Sequence, residues 1–556
     1  MRTRGKMPGR REGNVQAMKR PSEGRGAASG RNTPTGRGRR ARTVGAAIAG
    51  GLLVAVGAAL TVYASGIPAP ASLAAGTARS AEVPAGDAVR GCAGPARLLE
   101  GTPVQGDPQF SPASKTARTD VSAIVLSDTQ GTLPDASVTG ADGGLLKSLP
   151  GQAVAAGTAA QPRAAVVPAQ SVSAAAILTA RASGGDVPDI AGLTRFSASD
   201  GDLRGLATAS CTAPANDQWL LGASTTVGRT SVLTLTNSSA TPATVDLEFV
   251  GDKPLAQAPP SSRGLQVKPN SSASYVLSGY LPGQANLSVH VRSTGGPVSA
   301  VIQQSTLRGL TPGGVELITA AAAPAARQTV AGIDLQDPAQ AKQLAARQGF
   351  ADAAASLALT VPGAADAVVQ LRVYGRNGPV ALPGGGVVTA KAGTVTEVSL
   401  GGLPAGTYSV SASADVSFTA SARVPRGLSA TEPLDFASPG ASIRLGDDHV
   451  LAVGKGLTRR VVVGVPDGRA QIRAVPVTDD GRLHAAQTVD VAGGTTAVVD
   501  VPAEAEGSPV AALLISATGD PAYGTLVTTG DGNAIAAASV VAPAAGAQAL
   551  PVTLGY

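Results

Sequence analysis

The chain has 556 residues with 70 Gly and 40 Pro, and only 3% of it is aromatic, which favours many turns and short strands over long helices and leaves few rings for sugar platforms. The formal charge of +6 hides an asymmetry: residues 1–43 hold 13 Lys or Arg against Glu12 and Glu23, so the remainder carries −5. The main body therefore lacks the basic balance that nucleic-acid binding needs.

Residues 1–43, rich in Arg, Gly, Pro and Ser, read as a disordered basic cytoplasmic tail. Val44–Tyr63 is uncharged and apolar, and about 20 helical residues span roughly 30 Å, the thickness of a hydrocarbon core. Arg37, Arg39, Arg40 and Arg42 precede it and would hold that end in the cytoplasm. Residues 44–66 are thus predicted to be a transmembrane signal anchor in the cytoplasmic membrane, single-pass, with the C-terminal ectodomain extracellular. A signal peptide cut after Ala64 or Ala71 is the competing reading. Residues 67–88, mostly Ala, Pro, Gly and Ser, read as a linker.

The body is predicted to be mainly β, built as tandem immunoglobulin-like β-sandwiches. Ala243–Val250 (ATVDLEFV) sets Val245, Leu247 and Phe249 on one face and Asp246 and Glu248 on the other, the period of a half-buried strand. Ser231–Thr236, Leu287–Val291 and Val298–Ile302 read as further strands, with turn residues between them. The pattern repeats: Val245–Gly251 is echoed at Val369–Gly375, and Tyr275–Gly283 at Glu397–Gly406. An Arg-Gly-Leu triplet at Arg204, Arg308 and Arg426 falls where units would finish, with a stray copy at Arg263. These echoes predict four units, 89–210, 211–333, 334–445 and 446–556. Leu335–Ala355 is rich in helix formers behind Asp337-Pro338 and predicts a short helix leading the third unit.

Cys92 and Cys211 are the only cysteines, and both follow the anchor. An even count in an oxidising compartment predicts one disulfide framing the first unit; with no CxxC or nearby His, a metal pair is disfavoured.

Chemistry is sparse. No metalloprotease helix, nucleophile elbow, phosphate loop or calcium loop is present. No catalytic, cofactor or metal ligand set is predicted. The nearest cluster, Asp447, Asp448 and His449 in GDDHV, reads first as a turn before a strand. His290 in LSVHV is expected to face solvent, and His484 to follow a hairpin at Asp479-Asp480-Gly481. Trp219 is expected in the core near the disulfide rather than as a sugar platform.

Several segments then look alike to a known group. Cys92–Gly101, Cys211 with Trp219, Thr226–Thr230, Thr241–Val245 and Arg308–Val315 resemble an uncharacterised actinobacterial family of secreted or membrane-anchored proteins, catalogued as a domain of unknown function. The resemblance runs from about Cys92 to Tyr556 and supplies no catalytic residues. It implies a role in building or organising envelope glycans, beside a membrane glycosyltransferase. The resulting expectation is a non-catalytic, membrane-anchored envelope protein that binds or scaffolds a glycosyltransferase or a glycan. The alternative is a hydrolase of cell-wall or capsular polysaccharide using Asp447, Asp448 and His449.

Overall fold

The computed structural model describes residues 79–83, 86–102, 111–154, 161–182, 187–255, 258–543 and 548–552. The basic tail and the predicted anchor at 44–66 lie outside them. Among the described residues no helix is long and apolar enough to cross a membrane. Antiparallel strands dominate, and the predicted linker is corrected at its end: Arg79–Val83 is a strand paired with Gln548–Val552. Its composition, poor in branched residues, conceals that pairing.

Four sheet pairs follow in chain order, the third joined by a shared strand into one eight-stranded sheet. In the first, Ala88–Cys92, Ala176–Ala180, Ala136–Gly140 and Leu145–Leu149 form one sheet. Ala164–Ser171, Arg118–Leu126, Ile190–Ala198 and Gly205–Ser210 form the other. Val121, Val125, Val138, Leu178 and Ile190 fill the space between, with the Cys92–Cys211 disulfide in the same cluster. A Cβ on Gly192 would come within 2.6 Å of Cys211 Sγ, so the bridge fixes that residue as glycine. The second pair joins Asp217–Ala223, Leu287–Gly295, Ala243–Val250 and Leu265–Val267 over Ser271–Val276, Arg229–Asn237, Ser299–Arg308 and Thr311–Ile318. Val245 and Leu247 bury while Asp246 and Glu248 stay exposed, as the alternation requires.

The third pair is organised by one 21-residue strand, Gly406–Arg426. Its first half pairs with Ala325–Leu335 and Ala367–Gly375, and its second half with Ser356–Val361 and Asp435–Ala437. The predicted helix is present but short, Pro338–Ala345, capped by Asp337 Oδ1 accepting from Gln340 N at 2.8 Å. It follows a strand that already belongs to this sheet system, so it is an insertion within the third pair. The fourth pair joins Arg444–Leu445, Ala522–Thr529, Thr458–Val465 and Thr495–Asp500 over His449–Ala452, Ser508–Gly519, Arg469–Thr478 and Gln487–Ala492.

The cores run into one another. Ile124 and Leu193 of the first pair pack with Leu451, Val453 and Val477 of the fourth. Val462 and Val527 of the fourth pack with the third. Phe196 and Ala207 of the first meet Val315 and Leu317 of the second. Trp219 and Leu221 of the second meet Ala358 and Val395 of the third. Ser80–Pro551 is accordingly one compact unit.

Candidate functional site

Each sheet pair sends one edge strand to a common centre: Gly205–Ser210, Thr311–Ile318, Asp435–Ala437 and Ile535–Ser539, in contact around a closed cycle. An edge strand carries N–H groups that no neighbouring strand satisfies. Here two buried carboxylates accept them. Asp435 Oδ2 accepts from Leu206 N at 2.9 Å and Ile535 N at 3.2 Å, and Oδ1 from Phe436 N at 3.0 Å and Val315 N at 3.3 Å. One side chain thus ties backbone from all four pairs. Glu316 accepts from Leu317 N at 3.0 Å, Ala537 N at 3.2 Å and Ser438 N at 3.3 Å.

Burial pushes the Asp435 carboxyl up to about 8 against the pull of its amide donors, and burial pushes Glu316 well above the carboxylate range. Space for Asp435 is made by glycine. Gly314 has φ 103, and a Cβ there would meet Asp435 Oδ1 at 2.5 Å; at Gly205 the same contact would be 2.9 Å. Gly205 is the glycine of the first Arg-Gly-Leu triplet. The second and third triplets also immediately precede or lead toward an inner strand, at Thr311 and Asp435, so the echo in the sequence marks the approach to this centre. The stray copy at Arg263 lies before Leu265–Val267, away from it.

Above the centre opens a cleft of about 970 Å³. Exposed Lys115, Arg118, Arg204, Glu432 and Asp531 line it with Asn533, whose Nδ2 donates to Pro433 O at 2.9 Å. Asp200 shapes one wall by accepting from Ser114 Oγ, Thr116 Oγ1 and Lys115 N, and these bonds hold its carboxyl far below the usual range.

The residues singled out from the sequence do not converge on this cleft. Asp447 and Asp448 are exposed, whereas His449 is buried, its Nδ1 donating to Val541 O at 2.9 Å and its Nε2 accepting from Gly446 N at 2.9 Å. Both ring nitrogens are spent on backbone, which removes this triple as an acid–base device. His290 corrects an expectation: it is buried, stacked on Trp219 with centroids 4.2 Å apart, and bonded to Glu248 Oε2 at 2.8 Å and Asp217 Oδ1 at 2.9 Å. Trp219 is a core residue as expected, but it packs against the third pair, in a cluster separate from the one that holds the disulfide. His484 meets Thr478 Oγ1 at 2.8 Å beside the Asp479-Asp480-Gly481 turn. Among the described residues no group of three His, Cys, Asp or Glu is arranged to hold a metal ion.

A second charged group lies between the second and third pairs. Asp352 receives Arg308 Nη2 at 2.7 Å, Arg229 Nη2 at 2.7 Å and Arg423 Nη2 at 2.8 Å. Burial works against its charge, but the three guanidiniums prevail and hold its carboxyl down at about 2.

Among the described residues, a mainly β assembly with one disulfide is the class that the fold defines. The chain belongs to a family of unknown function, DUF5719, which matches residues 166–502. That stretch holds three of the four inner strands and the Arg-Gly-Leu triplets. Neither the curated proteins nor the solved structures contain a match to the chain.

Proposed function

We propose that this protein is a non-catalytic, membrane-anchored component of the cell envelope that binds or scaffolds a partner in envelope glycan assembly. The observation that carries the reading is the cleft beside the inner strands, reached by Gly205, Leu206 and Asp435 of two of them. Its wall carries exposed charges of both signs among apolar residues, contributed by the first, third and fourth sheet pairs, and its floor carboxylate, Asp435, is committed to backbone amides. Such a surface suits hydrogen bonding to hydroxyl-rich or charged ligands more than bond cleavage. The Cys92–Cys211 disulfide supports residence outside the cytoplasm. The apolar run at 44–66 behind four arginines supports the anchor. With this reading goes the finer description of the fold, tandem immunoglobulin-like sandwiches, supported by the facing antiparallel sheets around each core.

The test is crosslinking of the full chain in its own membranes, followed by affinity capture and mass spectrometry. Recovery of a membrane glycosyltransferase or a glycan, lost with Arg204→Ala and Lys115→Ala together, supports the proposal. Recovery of the protein alone, or capture unchanged by those substitutions, overturns the assignment of the cleft.

A further inference from the structure

We propose that the cavity between the second and third sheet pairs is a binding site for an oxyanion group, a carboxylate or a phosphate, held by Arg229 and Arg423. The cavity is about 280 Å³ and shares no lining residue with the central cleft.

Three guanidiniums converge on the single carboxylate of Asp352, which leaves an excess of two positive charges in a mostly buried setting. Among the described residues the only other acid lining the cavity is Glu397, which is exposed and accepts from Asn286 Nδ2 at 2.8 Å. Like charges brought this close repel, and burial weakens the screening that water would supply. The arginines cannot relax by swinging away. Arg423 lies over the Phe436 ring at 3.8 Å, and Arg308 lies over Phe350 at 5.1 Å with its Nε donating to Gly349 O at 3.0 Å. Arg308 Nη1 is buried without a hydrogen-bond partner among the described residues.

Geometry then selects which arginines act. Arg229 and Arg423 line the cavity; each spends Nη2 on the Asp352 carboxylate, and Arg423 Nε also donates to Asp352 O at 3.5 Å, which leaves N–H groups on Nη1 of each rigid fork for a ligand. Ser421 and Ser438 line the same space and add hydroxyl groups, whereas the Ser224 hydroxyl donates to Gln284 O at 3.0 Å. Among the described residues no aromatic side chain lines it, so recognition there is by charge and hydrogen bonding. Charge-assisted bonds to a planar carboxylate or a phosphate are the strongest such a fork can make.

The experiment measures the melting temperature of the full chain in sodium phosphate, sodium acetate and sodium chloride at equal ionic strength. Saturable stabilisation by phosphate or acetate beyond chloride is expected, and the anion that saturates at the lower concentration identifies the chemistry. Arg229→Gln is expected to weaken that binding by about tenfold or more, the cost of a lost charge-assisted bond. Asp352→Asn strands three guanidiniums and is expected to melt lower in chloride and to recover in the binding anion. If Asp352→Asn does not fold, the comparison of the parent chain with Arg229→Gln still decides. Identical melting in all three salts, or anion binding by Arg229→Gln as tight as by the parent, overturns the site.

Discussion

Asp435 is removed from water yet faces four N–H donors. The donors favour the carboxylate and burial favours the acid; burial is the larger influence, so its pKa rises from 3.8 to about 8. A native-state pKa above the unfolded one means that the folded chain holds the proton more tightly. The stability this contributes is full at low pH and is lost as pH climbs toward 8. Glu316 acts in the same sense, and so does Asp189, which burial and then the Asp448 charge push up to about 6 against the pull of Arg90. Asp352, held at about 2 instead of 3.8, acts in the opposite sense, and its contribution is lost only as pH falls below about 4. The two windows do not overlap. From about pH 5 to about pH 8 the protein is expected to lose stability, and Asp435→Asn to lose it less steeply. Urea midpoints at three pH values in that range test this; parallel slopes would remove Asp435 as the cause. Asp435→Ala is a harsher change. It orphans four buried N–H groups at about 1–3 kcal/mol each, and a chain that no longer folds is the expected result.

At the level of elements, what could be read from the sequence depended on whether one strand alone carries the information. Ala243–Val250 could be read because its inner face meets a core and its outer face meets water. Leu287–Gly295 could not be read in full. Its Val289 and Val291 face the core as alternation requires, but the opposite face, with His290, is covered by Trp219, and Ser288 Oγ meets Thr360 Oγ1 of the third pair at 2.8 Å. A neighbour that covers a sheet from outside leaves no mark in a single strand's period. The Arg-Gly-Leu triplets hinted at the centre, but Asp435 and Val315 meet through folding across 120 residues, with no local pattern. The helix start was legible and its length was not. Only Leu344 of Pro338–Ala345 is buried, so little packing extends it, and Gly349 at φ 83 follows. Its cap is testable by itself: Asp337→Ala is expected to cost about 1 kcal/mol, read from the urea midpoint. A shift no larger than error would mean the helix contributes nothing to the folded core.

Across the whole molecule, four sheet pairs joined only by the chain would unfold one by one, each with its own melting temperature. The cores argue otherwise. Leu193 belongs to the first pair but packs among Leu451, Val453 and Val477 of the fourth, and Val462 of the fourth packs among residues of the third. Asp334 receives Arg426 Nη2 at 2.6 Å and Arg460 Nη2 at 3.1 Å across the same third–fourth boundary. Gln303 grips the first pair through Arg97, accepting from its N and donating to its O, each at 2.8 Å. Unfolding any pair therefore exposes apolar surface and orphans polar groups on its neighbours, which couples them. Calorimetry of the full chain is expected to give one main transition for the sheet assembly. Leu193→Ala, a buried truncation worth about 2–5 kcal/mol, is expected to lower that transition as a unit. Breaking the Cys92–Cys211 bridge by Cys92→Ser with Cys211→Ser, worth about 2–5 kcal/mol, is expected to do the same from the first pair. If either change instead split off an early transition while the rest melted unchanged, the shared cores would be contacts without energetic coupling. The centre would then be a meeting point of independent domains, and a ligand in its cleft could not stabilise all four together.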